Sequence, residues 1–411
     1  MQDRFEKDGT VEYETIGETL VSAGYFLSLR GFSALDRYLD HRPLPFVWVE
    51  TDADIPALAR LFEGLRFPGV NLADGAIEAG EGSWFFHCID RDEGPSEAGH
   101  PSYELLSLTQ DWPSGRFRDP CGLYPLIRKL RDGPACFHPA AGGTPKPEEP
   151  WWTGIYPQTG RYRALMDGAL ILARYESSSR PAIGGLLQNL ADLPRDQGPG
   201  TEGQRVLLTS LLMSPHPELG LELLKAAGFV EEFWPELALL DDVDHSKEYH
   251  PEGNVWNHTL ETFRYRKAAS RKQPEGDLRL SLGLLLHDAG KPLAASSGSR
   301  RFDGHAELGA RVARRFLDRL QFDPSLIDDI CYLVRNHMLP AALPRLPLAR
   351  TREILESPLF PTLMELYRCD ESSSFKVLDG YYASSAAYRA YLKHRRNPYR
   401  NDESGLKRSR P

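Results

Sequence analysis

Leu284-Leu285-Leu286-His287-Asp288-Ala289-Gly290-Lys291-Pro292 is an apolar run that stops abruptly at two adjacent metal-ligand side chains. The run from Ser281 to Leu286 reads as a buried helix. Gly290 and Pro292 are expected to end it, because Gly favours turns and Pro cannot continue a helix. Neighbouring side chains on a regular helix splay by about 100°. Placing His287 and Asp288 on one ion therefore needs a helix terminus or a local distortion, which Gly290 would permit. Lys291 lies one turn beyond His287, where a cation can meet a phosphate oxygen.

Outward from this stretch, four more candidate ligands stand in the last third of the chain. His258 opens a helix in Val255-Trp256-Asn257-His258-Thr259-Leu260. His305 follows Asp303-Gly304, an N-cap candidate, before a helix to Leu320. His337 ends a predicted helix from Leu326 to Met338, and Asp370 ends one from Pro361 to Cys369. The spacing allows one helix out and one back between successive ligands, so they recur at neighbouring places in a bundle. Taken singly, each histidine is more simply a capping or surface residue. Together with the His-Asp pair they suit one or two divalent ions, with manganese, iron, cobalt, nickel, zinc and magnesium all left open.

The chain has 411 residues, too many for one ordinary core, so several domains are expected. A formal charge of −9 argues against a generally basic nucleic-acid coat, and no DNA partner is expected, but a local basic patch for RNA remains open. The five cysteines are scattered and never form a C-x-x-C pair, which fits reduced thiols better than a disulfide or zinc framework. The charged N-terminus lacks the apolar run of a signal peptide, and no stretch approaches a membrane span. The expectation is a cytoplasmic protein without a membrane partner.

In chain order, residues 1–138 alternate strand-like segments (25–29, 46–50, 83–89 and 103–108) with the helical period of Ile55 to Leu65, as a small mixed α/β domain would. Residues 139–150 are dominated by Pro and Gly and read as a linker. Helical periods follow at Tyr162 to Tyr175, Ala182 to Leu193, Glu202 to Met213 and Pro217 to Ala227, so 151–244 reads as a helical region. Residues 245–392 carry longer helices and most of the histidines. Residues 393–411 form a basic tail, read as a solvated end in preference to an RNA or phosphate contact. The fold class expected is α+β, mostly α-helical.

His258, His287-Asp288 and Asp370 match in order and spacing the H…HD…D signature of the HD-domain metal-dependent phosphohydrolases, and His305 and His337 match the extra histidines of the two-metal members. The segments 249–260, 287–292 and 302–307 resemble the HD domain fused to bacterial CCA-adding tRNA nucleotidyltransferases of the poly(A)-polymerase-like class. Residues 211–224 and 235–237 resemble the neck of that family, and 115–122 the end of its catalytic domain. The resemblance implies an N-terminal nucleotidyltransferase-like domain over 1–138, a neck over 151–244 and an all-α HD domain over 245–392.

The polymerase motifs of that family depart from this sequence. Ser22-Ala23-Gly24-Tyr25-Phe26-Leu27-Ser28-Leu29-Arg30 has one Gly and no Arg-Asp where the family has a Gly-Gly pair and an Arg-Asp. Phe46-Val47-Trp48 stands at the place of the magnesium-binding Asp-x-Asp. Asp52 and Asp54 form an Asp-x-Asp further on, but helix-start caps are the favoured reading of both. Arg161, Arg163, Glu202 and Arg205 match the nucleotide-selecting positions weakly, and surface helix charges are the favoured reading of all four.

The resemblance implies hydrolysis of a phosphate ester on a nucleotide, RNA end or other phosphorylated small molecule. His258, His287, Asp288 and Asp370 would hold one ion, His305 and His337 a second, and Lys291 would stabilise charge on the phosphate, with His287, Asp288 and Lys291 as the catalytic set. Two alternatives stand beside it. One is CCA addition to tRNA. The other is a non-enzymatic RNA-binding or regulatory protein with a structural HD metal, in which Trp84, Phe85, Phe86 and the basic tail would contact RNA, although aromatic runs in short strands are more often core.

Overall fold

The computed structural model describes residues 15–69, 72–80, 82–89, 108–118, 160–175, 196–244, 253–267, 274–296, 302–374 and 378–395, with the single positions 187 and 193. The fold is α+β and mostly helical, as expected. Its contacts divide the chain into two units. The first comprises Met1–Ala238, Lys267–Leu278 and Phe316–Asp323; the second comprises Leu239–Arg266, Arg279–Arg315 and Pro324–Pro411.

The first unit holds a six-stranded mixed sheet. Its strands are β1 (Leu27–Arg30), β2 (Phe46–Thr51), β3 (Gly75–Ala79), β4 (Gly82–Cys88), β5 (Thr109–Trp112) and β6 (Phe117–Arg118), in the order β3-β4-β2-β1-β5-β6. Helix α1 (Gly31–Tyr38) follows β1 directly and α2 (Ile55–Leu61) follows β2. Among the described strands, β2 and β4 form the one parallel pair, with Trp48 opposite Phe85. Strand β4 reads as a continuous apolar run because it is covered on both faces: Trp84, Phe85 and Phe86 are all buried. These three rings belong to the core, so they cannot serve as the RNA-contacting surface that one expectation assigned them.

Asp52 and Asp54 have structural duties. Asp52 accepts from the Phe26 amide at 2.8 Å, and Asp54 caps α2 by accepting from the Ala57 amide at 2.8 Å. The helices α3 (Arg161–Tyr175), α4 (Thr201–Leu212), α5 (Pro217–Ala226), α6 (Phe229–Phe233) and α7 (Pro235–Ala238) complete the unit. A buried ion pair fastens α3 to α1: Arg174 donates to Asp36 from Nη2 at 2.6 Å and Nε at 3.1 Å, and the Tyr175 hydroxyl donates to the same carboxylate at 2.6 Å. Residues 103–107 of the strand expected at 103–108 lie outside the described set, and β5 begins just after that stretch, at Thr109. The helix expected at Ala182 to Leu193 and the linker at 139–150 also fall outside that set.

The described residues of the second unit are mostly helical, with one antiparallel bridge between Asp244 and Asn254. In order it contains α8 (Val255–Arg264), the C-terminal half of α9 (Pro274–Leu286), α10 (Lys291–Ser296), most of α11 (His305–Arg319), α12 (Pro324–Asn336), α13 (Leu339–Ala342), α14 (Leu348–Glu356), α15 (Phe360–Ser372) and α16 (Asp379–Arg395). Helix α9 ends at Leu286, four residues before Gly290. Pro292 is the second residue of α10, in the first turn where a missing amide costs nothing, and so does not act as the breaker expected. Asp370 lies inside the last turn of α15 and does not follow it. Lys393, His394 and Arg395 form the last turn of α16, so the basic tail begins helically; the rest of it is outside the described residues. Among the described residues, no helix is long and apolar enough to cross a membrane.

Candidate metal centre

The six predicted ligands converge. His258 sits one turn into α8, a helix started by the Asn254 side chain accepting from the Asn257 amide. His287 and Asp288 follow the last residue of α9, His305 opens α11, His337 follows the last residue of α12, and Asp370 closes α15. The turn at a helix end is the distortion that lets consecutive residues His287 and Asp288 face one centre.

Two triads result. His258, His287 and Asp370 bring a ligand atom each within 4.8 Å of one another, as do Asp288, His305 and His337. Asp288 lies between them. Its Oδ2 is 3.2 Å from His287 Nε2 and 3.9 Å from His258 Nε2; its Oδ1 is 3.6 Å from His305 Nε2 and 3.9 Å from His337 Nε2. Four of the six ligands, His258, His287, Asp288 and His337, are almost fully buried.

Close packing of two glycines makes this convergence possible. A Cβ on Gly290 would stand 2.0 Å from the His305 carbonyl oxygen and 2.3 Å from the Gly309 nitrogen. One on Gly309 would stand 3.2 Å from the Gly290 nitrogen and 3.1 Å from Val334. The turn after α9 and the first turn of α11 therefore touch backbone to backbone, and each carries its histidine to the centre.

The nitrogens are turned the same way. The Nδ1 atoms of His287, His305 and His337 lie 2.8, 2.9 and 2.7 Å from the carbonyl oxygens of Leu284, Phe302 and Val334. A carbonyl only accepts, so each Nδ1 carries the proton and each Nε2 offers a lone pair inward. The Nε2 atoms of His305 and His337 then face each other at 3.1 Å, and the Nε2 of His287 is buried without a hydrogen-bond partner among the described residues. His258 Nε2 meets Asp370 Oδ1 at 3.0 Å. Inward-facing lone pairs at these separations repel unless a positive centre stands among them. The donor set of imidazole nitrogens and carboxylates fits a divalent cation of the borderline class.

Burial would push both carboxyls up, but their neighbours reverse this. Asp288 is held well below the usual carboxylate range by His287, Lys291 and His258, and Asp370 is lowered by its close neighbours His258 and His287. Burial pushes the His337 imidazole down to about 4, and His287 pushes the same way. Both effects leave the centre in the state a cation requires, with carboxylates ionised and His337 neutral. Lys291 Nζ lies 2.6 Å from Asp288 Oδ2 and 5.7 Å from the Phe302 ring centre, so its first partner is the carboxylate.

Residues 255–370 match the family profile of the HD domain. This segment is an HD domain. The chain is also 34% identical over 195 residues to the CC-adding tRNA nucleotidyltransferase of Thermus thermophilus, covering 44% of this chain and 43% of that protein. It is 31% identical over 197 residues to the A-adding tRNA nucleotidyltransferase of Deinococcus radiodurans, covering 46% and 43%. It is 34% identical to the Multifunctional CCA protein of Halorhodospira halophila over 31% of this chain and 29% of that one. The chain thus spans less than half the length of these curated relatives. A tRNA nucleotidyltransferase solved with a primer tRNA and an incoming ATP analog aligns over 93% of this chain and 98% of its own, at 12% identity and a TM-score of 0.45.

In the first unit, the weakly matched residues divide. Arg163 is buried and is not a surface helix charge. With Arg30, Trp48 and Asp167 it lines a cavity of about 360 Å³. Arg161 opens α3 and is half-buried, while Glu202 accepts from Arg66 and Arg205, and Arg205 also donates to the Gln321 carbonyl at 2.7 Å. Phe46 and Trp48, at the expected carboxylate positions, project into an aromatic cluster with Phe85; the Trp48 and Phe85 rings stack at 5.7 Å. Asp167 escaped sequence reading. It is buried, its Oδ2 has no hydrogen-bond partner among the described residues, and burial raises its carboxyl well above the usual range despite Arg163. A lone Asp in a helical repeat gives no signal of such a setting.

Proposed function

We propose that the chain is a metal-dependent phosphohydrolase whose HD centre cleaves a phosphate ester at an RNA end or on a nucleotide. One observation carries this reading: six side chains from five places in the sequence turn their lone pairs and carboxylate oxygens onto one buried point. A bound divalent ion would supply a Lewis acid and lower the pKa of a coordinated water toward neutrality. His258, His287 and Asp370 would hold one ion and His305 and His337 a second, with Asp288 shared between them. Lys291 holds Asp288 in place, and its ammonium would offset the charge that develops on a phosphate oxygen as the ester bond breaks. The relatives' names point to tRNA as the RNA in question.

The test is phosphate release from RNAs bearing a 3′-phosphate or 2′,3′-cyclic phosphate, and from nucleotides, with manganese, cobalt, nickel, zinc and magnesium supplied in turn. His287→Ala and Asp288→Ala are each expected to lower kcat/KM at least about a hundredfold, beyond what loss of an outer-shell partner costs. Metal-dependent turnover that persists in both variants defeats the proposal.

The relatives' names favour a second reading, nucleotide addition to tRNA, more directly than they favour hydrolysis. Against it stands the aromatic cluster of Phe46, Trp48 and Phe85, which offers no oxygen to magnesium. Incubation with tRNA lacking its 3′ end, CTP, ATP and magnesium separates the two: specific extension establishes the second reading.

A further inference from the structure

We propose that Ser373 is a positioning residue of the HD centre, setting His258 in the tautomer that binds metal and tying it to its co-ligand Asp370. The inference rests on reading the six-residue cluster as a metal centre.

Three of the four histidines orient themselves locally. His287 and His337 each follow a helix end, where the carbonyls of the last turn lack helical partners, and His305 closes a turn on Phe302. His258 is placed differently. It lies within α8, where the Asn254 carbonyl accepts from the His258 amide at 3.0 Å and the Val255 carbonyl accepts from the Thr259 hydroxyl at 2.9 Å. The Nδ1 of His258 instead meets Ser373 Oγ at 3.3 Å, 115 residues further along the chain.

A hydroxyl can donate or accept, so by itself it selects no tautomer. Here its proton is committed: Ser373 Oγ donates to the Asp370 carbonyl at 2.6 Å. Only lone pairs remain for His258, which places the imidazole proton on Nδ1 and leaves Nε2 to the centre, as in the other three histidines. Ser373 is itself held, buried at the C-cap of α15 with its amide donating to the Cys369 carbonyl at 3.1 Å. One side chain thus orients a ligand on α8 and grips the backbone of a ligand on α15, and those two ligands meet at 3.0 Å.

The test is calorimetric titration of the metal-free full chain with cobalt(II), with visible absorption reporting coordination. Ser373→Ala is expected to weaken cobalt binding about 10- to 100-fold, the loss typical of an outer-shell partner of a metal-bound histidine. Ser373→Thr, which keeps the hydroxyl, is expected to bind near the parent affinity, and Ser373→Val, of the same shape without it, to match Ser373→Ala. In a His258→Ala background, Ser373→Ala should cost nothing further, whereas a merely structural serine would add its loss there too. If the parent protein binds cobalt and the Thr and Val variants bind it equally, the proposal is overturned and the metal centre stands. If the parent protein binds no divalent ion at all, the metal-centre reading itself falls and the proposal with it.

Discussion

The Nε2 atoms of His305 and His337 face each other at 3.1 Å while the Nδ1 of each is hydrogen-bonded to a backbone carbonyl. Two lone pairs so placed repel, and a cation between them turns the repulsion into coordination. Divalent ions are therefore expected to stabilise the folded chain, by about 3 kcal/mol at a hundredfold excess over Kd. Thermal unfolding followed with and without a chelator checks this; a midpoint indifferent to both manganese and zinc would contradict it.

Gly290 is expected to tolerate no side chain. The Cβ of Gly290→Ala would lie 2.0 Å from the His305 carbonyl oxygen and 2.3 Å from the Gly309 nitrogen, both backbone atoms that cannot swing aside. Separating the two turns should cost about 3 kcal/mol, at the upper end for overpacking, and should weaken metal binding because His287 and His305 move apart. Urea denaturation and cobalt titration of the variant read the two effects separately.

Acid is expected to destabilise the metal-free protein. His337 has its folded pKa lowered from 6.5 to about 4, so between those values the unfolded chain takes up a proton that the folded chain refuses. Its contribution to stability is complete above pH 6.5 and is lost as pH falls toward 4, a change on the order of 3 kcal/mol. The lowered carboxyls of Asp288 and Asp370 extend the loss below pH 4 with the same sign. Denaturation midpoints at pH 7, 5.5 and 4.5 should converge for the parent and His337→Gln as pH falls, because the variant lacks this term.

Asp36 is expected to matter as much to the first unit as any apolar residue. Asp36→Ala would leave the Arg174 guanidinium buried without its carboxylate, which costs about 3–5 kcal/mol where such pairs are broken. A thermal midpoint lowered by several degrees, with cobalt affinity unchanged, is the expected pattern. An unchanged midpoint would mean that Arg174 finds another acceptor.

By itself, the sequence determined the class of the fold and the set of candidate ligands. Metal binding restricts residue types to a few, so His258, His287, Asp288, His305, His337 and Asp370 were legible as a set from spacing and resemblance, and apolar periodicity marked most of the helices around them. Tertiary structure alone decided what holds those ligands and what the first unit can do. Ser373 acts on a histidine 115 residues away, Gly290 matters for what lies across from it on α11, and Arg163, expected as a surface charge, is buried and lines a cavity together with Asp167. Hydrogen-bond direction, close backbone approach and desolvation depend on which distant atoms are brought within a few ångströms, and no local pattern of residue types encodes that.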